Sequence, residues 1–344
     1  MKKVLVLFGG MSPEHDVSIL SGLCILKNID REKYEVTGSY IDKGGNFYLY
    51  TDENYDLKLE EHLSNLKRIE NILDFVKDFD VVFPIIHGTT GEDGKIQGFL
   101  DILNISYTGA KVLGSALAMD KVYAKMILDK AGIKQAESRY IKVINNKYIY
   151  VDDKLNEKEI EKEKLLEKII KELSLPVFVK PSNSGSSIGI SKANNKKKLL
   201  KAIDIAKEYD SKILVEKALE AREIECGVLG NESVIASKVG EVISNDDFYD
   251  YDSKYKSSKS ETIINPKLEN GIEDKIREIA IKAYKALDLK GFARVDFFLD
   301  KENNVFLGEI NTIPGFTNIS MYKMLFSASG IEIKELITKI IELA

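Results

Sequence analysis

The order of apolar and polar positions in the first hundred residues alternates between strand-like and helix-like patterns. Residues 4–8 form a short all-apolar run, and residues 17–29 repeat apolar side chains at helical spacing. Two further β-type runs, at 34–41 and 80–86, bracket a helical pattern at 66–76. Strands that alternate with helices in this way predict an α/β domain built on a parallel sheet.

The pattern after this first domain is less regular and predicts an α+β organisation. A helix signature covers residues 120–132, and a charge-dense helix is expected over 156–173, where the Glu/Lys spacing is typical of a solvated face. Short strands are predicted at 139–143, 148–151 and 176–180.

The final third combines a long loop with helices and a hairpin. Residues 246–260 are polar, tyrosine-rich and without period, which predicts a surface loop of a length that often serves function. A helix is expected over 273–287, a hairpin over 294–311 and a terminal helix from Ile331.

Length, charge and cysteine content limit the classes of protein that fit. A chain of 344 residues, 44% hydrophobic and 31% charged, is typical of a globular protein with two or three domains. The net charge of -5 argues against a general nucleic-acid surface. The two distant cysteines, Cys24 and Cys226, suggest neither a disulfide framework nor a zinc site and fit a reducing cytoplasm. No apolar stretch approaches the roughly 20 residues that cross a bilayer, so no membrane partner is expected.

The predicted hairpin places two acids against each other. If its turn is centred at residues 302–303, Asp296 lies opposite Glu309 and Arg294 lies opposite Asn311, all on one face. Like charges that are directly opposed destabilise a sheet, so a positive group should sit between them. Either Arg294 completes a protein-only ion network, or the oxygens of Asp296, Glu309 and Asn311 bind magnesium together with a nucleotide's phosphates.

Two glycine-containing loops could bind anions. Lys180 ends an apolar strand, and the Gly/Ser segment 182–189 follows it, which are the parts of a phosphate-binding loop. Their order differs from that of a P-loop, and a flexible turn is the simpler alternative. Residues 9–12 lack the full G-x-G-x-x-G spacing but place backbone N–H groups at a helix start, beside Glu14 and His15. A lone histidine such as His15 is more often structural than catalytic.

Other polar residues have both a functional and a simpler interpretation. His87 follows a strand end, where ligands bind in α/β sheets, whereas Glu92 and Asp93 could merely cap the next helix. Lys121 lies near a helix start with Asp120 as its cap, and a solvated lysine is the simpler interpretation. The strand-edge acids Glu216 and Glu223 could accept hydrogen bonds from a nucleotide or merely discourage aggregation.

Taken in chain order, eight segments resemble the D-alanine–D-alanine ligase family of the ATP-grasp superfamily. Several are weak alone, but together they are specific and cover nearly the whole chain. They are GGMSPEHDVSILSG, HGTTGEDGKIQG, GSALAMDK, KPSNSGSSIGIS, LVEKALEAREIECGVLG, FYDYDSKY, GFARVDFF and GEINTIPGFTNIS.

The resemblance implies a three-domain ATP-grasp architecture that grips ATP between the central and C-terminal domains. Residues 1–110 would form a Rossmann-like substrate-binding domain and 111–218 the central domain with the Gly/Ser phosphate loop. Residues 219–344 would form the metal-binding domain with the active-site loop 246–260.

The same resemblance implies the binding of ATP and two Mg²⁺ ions, with Mn²⁺ as a substitute. Lysines and a serine would contact the phosphates, acids and a lysine the adenine and ribose, and oxygen ligands the metals. The phosphate contacts would be Lys121, Lys180, Lys254 and Ser186, the adenine and ribose contacts Glu216, Glu223 and Lys217, and the metal ligands Asp296, Glu309 and Asn311.

The implied reaction joins two D-alanine molecules through a D-alanyl phosphate, for peptidoglycan synthesis. Glu14 would hold the first ammonium near His87, Ser320 and the Met321 backbone would hold the second carboxylate, and Arg294 with the Gly315 N–H would stabilise the oxyanion. Glu14, Ser186 and Tyr255 would hydrogen-bond to close the site and exclude water. A homodimer is expected because the family is commonly dimeric.

Three alternatives remain open at the level of sequence. By the family resemblance, Lys254-Tyr255 favours an amine over D-lactate as the second substrate, so a D-serine-accepting ligase is the harder one to exclude. Lys323-Met324 also departs from the family pattern beside the second-substrate pocket, which leaves selectivity open. A non-catalytic nucleotide-binding module is disfavoured because every expected catalytic position is filled. An NAD-dependent dehydrogenase would need a full glycine fingerprint, which residues 9–12 do not supply.

Overall fold

The computed structural model describes residues 1–51, 66–185, 188–244 and 260–344, which contain three β-sheets and the helices that cover them. Ser186, Lys254 and Tyr255 lie outside these residues, as does nearly all of the predicted loop 246–260. In the described ranges, no helix is long and apolar enough to span a bilayer. The expected mixed α/β class is confirmed.

The first sheet has the order β4-β3-β2-β1-β5-β6, and its strands β2, β1, β5 and β6 run parallel. The apolar run of β1 is fully buried, which explains its lack of alternation. Its elements are β1 Lys2–Gly9, α1 His15–Asn28, β2 Tyr34–Ile41, β3 Phe47–Tyr50, β4 Lys67–Arg68, α2 Ile72–Phe75, β5 Val81–Ile85, α3 Lys95–Ile102 and β6 Ser106–Tyr107.

The helix predicted over 66–76 is wrong for most of its length. Its start pairs with β3 as the edge strand β4, and only α2 and a 3-10 turn at Val76–Asp78 are helical. The Asn71 side chain accepts a hydrogen bond from the Asp74 N–H and so starts the helix later than the apolar period suggested.

The second sheet is antiparallel throughout and has the order β11-β10-β12-β7-β8-β9. The predicted helix 156–173 begins only at Lys162, because Glu157–Ile160 instead pairs with Lys147–Val151 and forms the edge strand of the sheet. The elements here are α4 Val112–Met119, α5 Lys121–Lys130, β7 Ser138–Ile144, β8 Lys147–Val151, β9 Glu157–Ile160, α6 Lys162–Leu173, β10 Val177–Pro181, β11 Ser191–Ala193, α7 Lys196–Ala206 and β12 Lys212–Lys217.

The third sheet is also antiparallel, with the order β15-β14-β13-β16-β17. One long helix, α8, packs on β13, β14 and β16, and α9 packs on β13 and β14. The elements are β13 Ala221–Leu229, β14 Ile235–Ser244, β15 Ser260–Ile264, α8 Ile272–Ala286, β16 Phe292–Asp300, β17 Val305–Asn311, α9 Met321–Ala328 and α10 Ile333–Glu342.

The hairpin β16–β17 has the predicted cross-strand pairs but reaches them differently. Leu299 pairs with Val305, so the turn is centred on Glu302 and not between Glu302 and Asn303 as predicted. A register shift between Asp296 and Phe297 leaves Gly308 as an extra residue on β17. This bulge brings Glu309 opposite Asp296, as the sequence predicted.

Candidate functional site

The loop after β5 holds both backbone groups of Ile313, which follows the end of β17. His87 Nδ1 lies 2.8 Å from the Ile313 carbonyl oxygen. Glu92 Oε1 accepts from the Ile313 N–H at 3.1 Å, while its Oε2 accepts from the Gly88 N–H at 2.7 Å. The first sheet therefore fixes the path of the chain directly beyond the acidic hairpin.

The tautomer of His87 follows from its hydrogen bonds, and its neutral charge follows from its burial. A carbonyl oxygen only accepts, so Nδ1 carries the proton and Nε2 accepts from Ser21 Oγ at 2.8 Å. The Ser21 hydroxyl in turn accepts from the Phe316 N–H at 3.1 Å. Burial lowers the pKa of His87 to about 4, which agrees with the neutral ring. Both ring nitrogens are engaged by the protein, so His87 supports the 313–316 turn.

Glu14 is buried where the first-sheet loops meet the Gly/Ser loop. A Cβ atom on Gly88 or Gly185 would lie 2.4 or 2.5 Å from Glu14 Oε2, so a side chain at either position would displace the Glu14 carboxylate. Burial, reinforced by the Glu14 carboxylate, raises the pKa of Glu92 to about 8. Glu14 therefore lies in a low-dielectric site beside a second acid, a setting suited to a substrate ammonium group.

Gly315 and Ser320 meet at the start of α9. A Cβ on Gly315 would lie 2.7 Å from Ser320 Oγ, and that hydroxyl is 2.8 Å from Thr317 Oγ1. Ser320 is the N-cap residue of α9, and Met321 is its first helical residue. The Met321 N–H is thus one of the helix-start donors that suit a carboxylate.

A row of three carboxylates crosses the third sheet. Glu225 on β13 pairs with Asp296 on β16, which pairs with Glu309 on β17. Arg294 donates from Nε and Nη2 to the two oxygens of Asp296, both at 2.7 Å, and its Nε lies 3.0 Å from Glu225 Oε2. Arg294 thus contacts two of the three acids, Asp296 and Glu225.

The predicted metal ligands Asp296, Glu309 and Asn311 fit a hard dication in their chemistry. Their donors are all oxygens, and the cross-strand pairs place them side by side. Within the described ranges, no three His, Cys, Asp or Glu side chains form a preformed metal group. The predicted set includes an amide, and Arg294 holds Asp296, so the ligands would need rearrangement to bind metal.

A second ionic cluster lies on the second sheet. Glu216 is only 4% exposed, and its two oxygens receive Lys125 Nζ at 2.7 Å and Lys180 Nζ at 2.5 Å. Burial alone would raise the pKa of Glu216, but the two ammonium groups outweigh it and lower the pKa to about 2. Lys180 is therefore paired within the protein, and Lys125 shares its partner.

Lys121 is fixed against the Gly/Ser loop at both ends. Its N–H donates to the Ser182 carbonyl at 3.1 Å, and its Nζ donates to the Ser184 carbonyl at 2.5 Å. Asp120 caps α5, as predicted, by accepting from two N–H groups of the first turn. It also accepts from Ser182 Oγ and forms an ion pair with Lys212. The loop is thus tied to a helix start and a strand.

The remaining predicted nucleotide residues lie on inner strands of two sheets. Lys217 is exposed at the end of β12, and Glu223 is half-buried on β13 opposite Phe298. His15 is structural, because Nδ1 is 2.5 Å from the Gly10 carbonyl oxygen and Nε2 is 3.1 Å from the Tyr40 hydroxyl.

Comparison with known proteins assigns the chain to a family. The family models described as "D-ala D-ala ligase N-terminus" and "D-ala D-ala ligase C-terminus" match residues 3–110 and 141–342. The chain belongs to the D-alanine–D-alanine ligase family. The resemblance found in the sequence motifs is therefore confirmed.

Curated relatives extend the match over the whole chain. The D-alanine–D-alanine ligase of Acetivibrio thermocellus is 43% identical over 100% of this chain and 96% of its own length. That of Caldicellulosiruptor bescii is 45% identical over 99% of this chain and 94% of its own. The ligase-family sequence thus spans all three sheets.

Two solved structures share the fold. The VanG D-Ala:D-Ser ligase from Enterococcus faecalis is 32% identical, with a TM-score of 0.84 over 99% of each chain. The D-alanine–D-alanine ligase from Coxiella burnetii is 32% identical, with a TM-score of 0.84 over 100% of this chain and 95% of its own. Both proteins are therefore similar to this chain in sequence as well as in fold.

Several residues of this ligase-family site were missed by the sequence analysis. Glu225 follows Glu223 by two positions on one strand, and Lys125 follows Lys121 by one helical turn, so periodicity could have found both. Glu92 was considered only as a cap. Ser21 carries no sequence signal, because its partners His87 and Phe316 are distant in sequence.

Proposed function

We propose that this chain joins two D-alanine molecules into D-alanyl-D-alanine in an ATP-dependent reaction that passes through D-alanyl phosphate. The dipeptide is a building block for peptidoglycan, which implies a role in cell-wall biogenesis and cell shape. The observation that carries the proposal is the family match over residues 3–110 and 141–342, and it agrees in the structure with the double hold on Ile313. This hold brings the loop that carries His87 against the turn that carries Gly315.

In the first step, a carboxylate oxygen of one D-alanine attacks the γ-phosphorus of ATP and releases ADP. Buried Glu14 supplies the counter-charge for the D-alanine ammonium. Lys121 and Lys180, with Lys254 and Ser186, contact the phosphates. Glu216, Lys217 and Glu223 contact the adenine and ribose.

Asp296, Glu309 and Asn311 are the residues that would hold two Mg²⁺ ions, with Mn²⁺ as a substitute. Bound there, the ions supply charge neutralisation and orientation of the phosphate oxygens. The oxygen-only donor set supports this assignment.

In the second step, the amine of the other D-alanine loses a proton and attacks the acyl carbon, and phosphate leaves. Ser320 and the Met321 N–H hold the carboxylate of this substrate at the start of α9. Arg294 and the Gly315 N–H stabilise the oxyanion. Contacts among Glu14, Ser186 and Tyr255 close the site against water.

The proposed organisation has domains at 1–110, 111–218 and 219–344 in a cytoplasmic homodimer. The two family models that end at 110 and begin at 141 support the first boundary. Sedimentation at several concentrations tests the dimer, and limited proteolysis tests the boundaries.

Product analysis tests the activity directly. Incubation with D-alanine, ATP and Mg²⁺ should give D-alanyl-D-alanine and stoichiometric phosphate, detected by chromatography and a phosphate assay. Glu35→Gln, at an exposed position on β2, is the control that should retain the rate. Absence of dipeptide would overturn the proposed activity.

D-Serine as the second substrate is the other candidate. The likeness to the VanG D-Ala:D-Ser ligase favours testing it, and Lys323 departs from the family pattern next to the proposed carboxylate site. Competition between equal concentrations of D-alanine and D-serine decides between them by the mixed-dipeptide fraction. D-Lactate in a parallel reaction tests for the ester product.

A further inference from the structure

The Arg294 guanidinium is placed between two carboxylates on neighbouring strands. Arg294 and Asp296 are two positions apart on β16. The guanidinium donates two hydrogen bonds of 2.7 Å, one to each oxygen of the Asp296 carboxylate. Glu225 lies opposite Asp296 on β13, diagonal to Arg294, and its Oε2 is 3.0 Å from Arg294 Nε. The side chains of Arg294 and Glu225 are only 16% and 12% exposed, so their charges interact with little screening.

The two proposed tasks of this region compete for the same atoms. Asp296 gives both oxygens to Arg294, yet the proposed metal site needs oxygen donors from Asp296. A guanidinium and a dication on one carboxylate also repel each other. Arg294 must remain nearby, because the proposed oxyanion contact needs its charge.

We infer that Glu225 is a positioning residue that keeps Arg294 in the site when Asp296 is released to serve the metal. Glu225 is already in ion-pair contact with Nε, so the guanidinium needs only a small turn toward β13. Such a pair gives the arginine a partner in both arrangements and avoids a buried cation without a counter-charge. Glu225 thus holds the arginine while Asp296 binds the metal, since one carboxylate could not do both at once.

This inference rests on the proposed assignment of Asp296 to the metal and Arg294 to the oxyanion. Asp296→Asn tests that assignment by itself, through Mn²⁺ binding measured by electron paramagnetic resonance with a non-hydrolysable ATP analogue. If Asp296→Asn binds Mn²⁺ as wild type does, the metal assignment fails. If it binds weakly, the assignment stands and the Glu225 variants decide the inference.

The decisive variant is Glu225→Asp, which keeps the charge but shortens the reach by one methylene. We expect it to weaken Mn²⁺ binding about tenfold and to lower kcat with little change in the KM for ATP, since Arg294 then stays on Asp296. Glu220→Gln, which loses a surface ion pair with Lys301, is the matched control and should bind Mn²⁺ normally.

A double-mutant cycle separates action through Arg294 from a general field effect. In an Arg294→Met background, Glu225→Asp should change Mn²⁺ affinity by less than about twofold, because the residue it positions is gone. An equal loss in both backgrounds would show that Glu225 acts on the metal directly, and wild-type binding by Glu225→Asp would also overturn the inference. Thermal unfolding of each variant identifies misfolding, and Glu225→Gln then repeats the test at unchanged side-chain length.

Discussion

His87 donates its Nδ1 hydrogen to the Ile313 carbonyl oxygen at 2.8 Å, across 226 positions of sequence. The bond connects the carboxyl edge of the first sheet to the turn that leaves the third. Because the Ile313 carbonyl oxygen can only accept, the neutral imidazole is held in the tautomer with its hydrogen on Nδ1, and burial disfavours a second proton. His87 therefore serves as a neutral support.

The first prediction concerns stability in mild acid. Unfolded histidine binds a proton near pH 6.5, whereas burial lowers the pKa of His87 to about 4. Between these values the unfolded state binds more protons, so stability falls as the pH falls, by on the order of 3 kcal/mol in total. Urea unfolding at pH 7, 6 and 5 should show the wild type losing stability relative to His87→Gln as the pH falls, because the raised pKa of Glu92 acts in the opposite direction but is common to both proteins.

Ser21→Ala is the control for that measurement. It removes the hydroxyl between His87 and Phe316 but keeps the titrating ring, so the dependence on pH should persist. Equal slopes in wild type and His87→Gln would show that His87 does not titrate in this window.

The second prediction concerns Glu92→Gln. Glu92 accepts from two N–H groups through separate oxygens, and an amide would turn an NH₂ group toward one of them. We expect a loss of about 1–3 kcal/mol in the free energy of unfolding, together with a lower kcat as the 313–316 turn loosens. Asp93→Asn, in the same loop, should leave the Ile313 contact and kcat intact. A Glu92→Gln variant with full kcat would contradict the supporting role.

The third prediction concerns Gly315→Ala. Its Cβ would lie 2.7 Å from Ser320 Oγ, so the hydroxyl must move away. Misplacement of a substrate contact by this much should raise the KM for the second D-alanine about tenfold or more and spare the KM for ATP. Steady-state rates with D-alanine varied at saturating ATP and fitted to two D-alanine sites, and then with ATP varied, give both values.

Gly98→Ala is the matched substitution for this test. Gly98 lies inside α3, where the nearest contact of an added Cβ is 3.8 Å away, so the change should be neutral or stabilising. Unchanged kinetics in Gly315→Ala would remove Ser320 from the proposed second-substrate site.

The fourth prediction concerns Lys125→Met. Lys180 can turn from Glu216 toward phosphate at low cost only if Lys125 stays with that buried carboxylate. Without Lys125, ATP should bind about tenfold more weakly, measured by calorimetry with a non-hydrolysable analogue. Lys130→Met, exposed at the end of the same helix, should bind normally. Equal affinity in both variants would contradict the shared-partner arrangement.

The order of apolar and polar residues predicted correctly those strands in which buried and exposed positions follow that same order. The buried run of β1 and the alternation of β16 and β17 gave the correct strands, and the hairpin pairs Asp296–Glu309 and Arg294–Asn311 are confirmed. The helix expected over 66–76 failed because edge pairing with β3 outweighed the apolar period. The helix α9 was not predicted.

The site was predictable only in part for a physical reason. Family motifs named Glu14, Lys180 and Arg294, but the partners that hold them in place come from distant segments. The contact of Gly185 with Glu14 and the bulge at Gly308 depend on tertiary packing, which a local period does not encode. Sequence therefore named candidate reacting groups but few of the groups that hold them in position.

His87 and Glu92 form hydrogen bonds with the backbone carbonyl and N–H of Ile313, so these bonds do not depend on which side chain stands at position 313. The first hundred residues could thus be exchanged between relatives by recombination, provided that the donor segment carries its histidine and glutamate and the recipient keeps its backbone path. The junction also contains side-chain packing, because the first sheet, β16 and α10 share one buried core in which Phe83 contacts Phe292, so a chimaera built at residue 110 would have to preserve those apolar contacts as well.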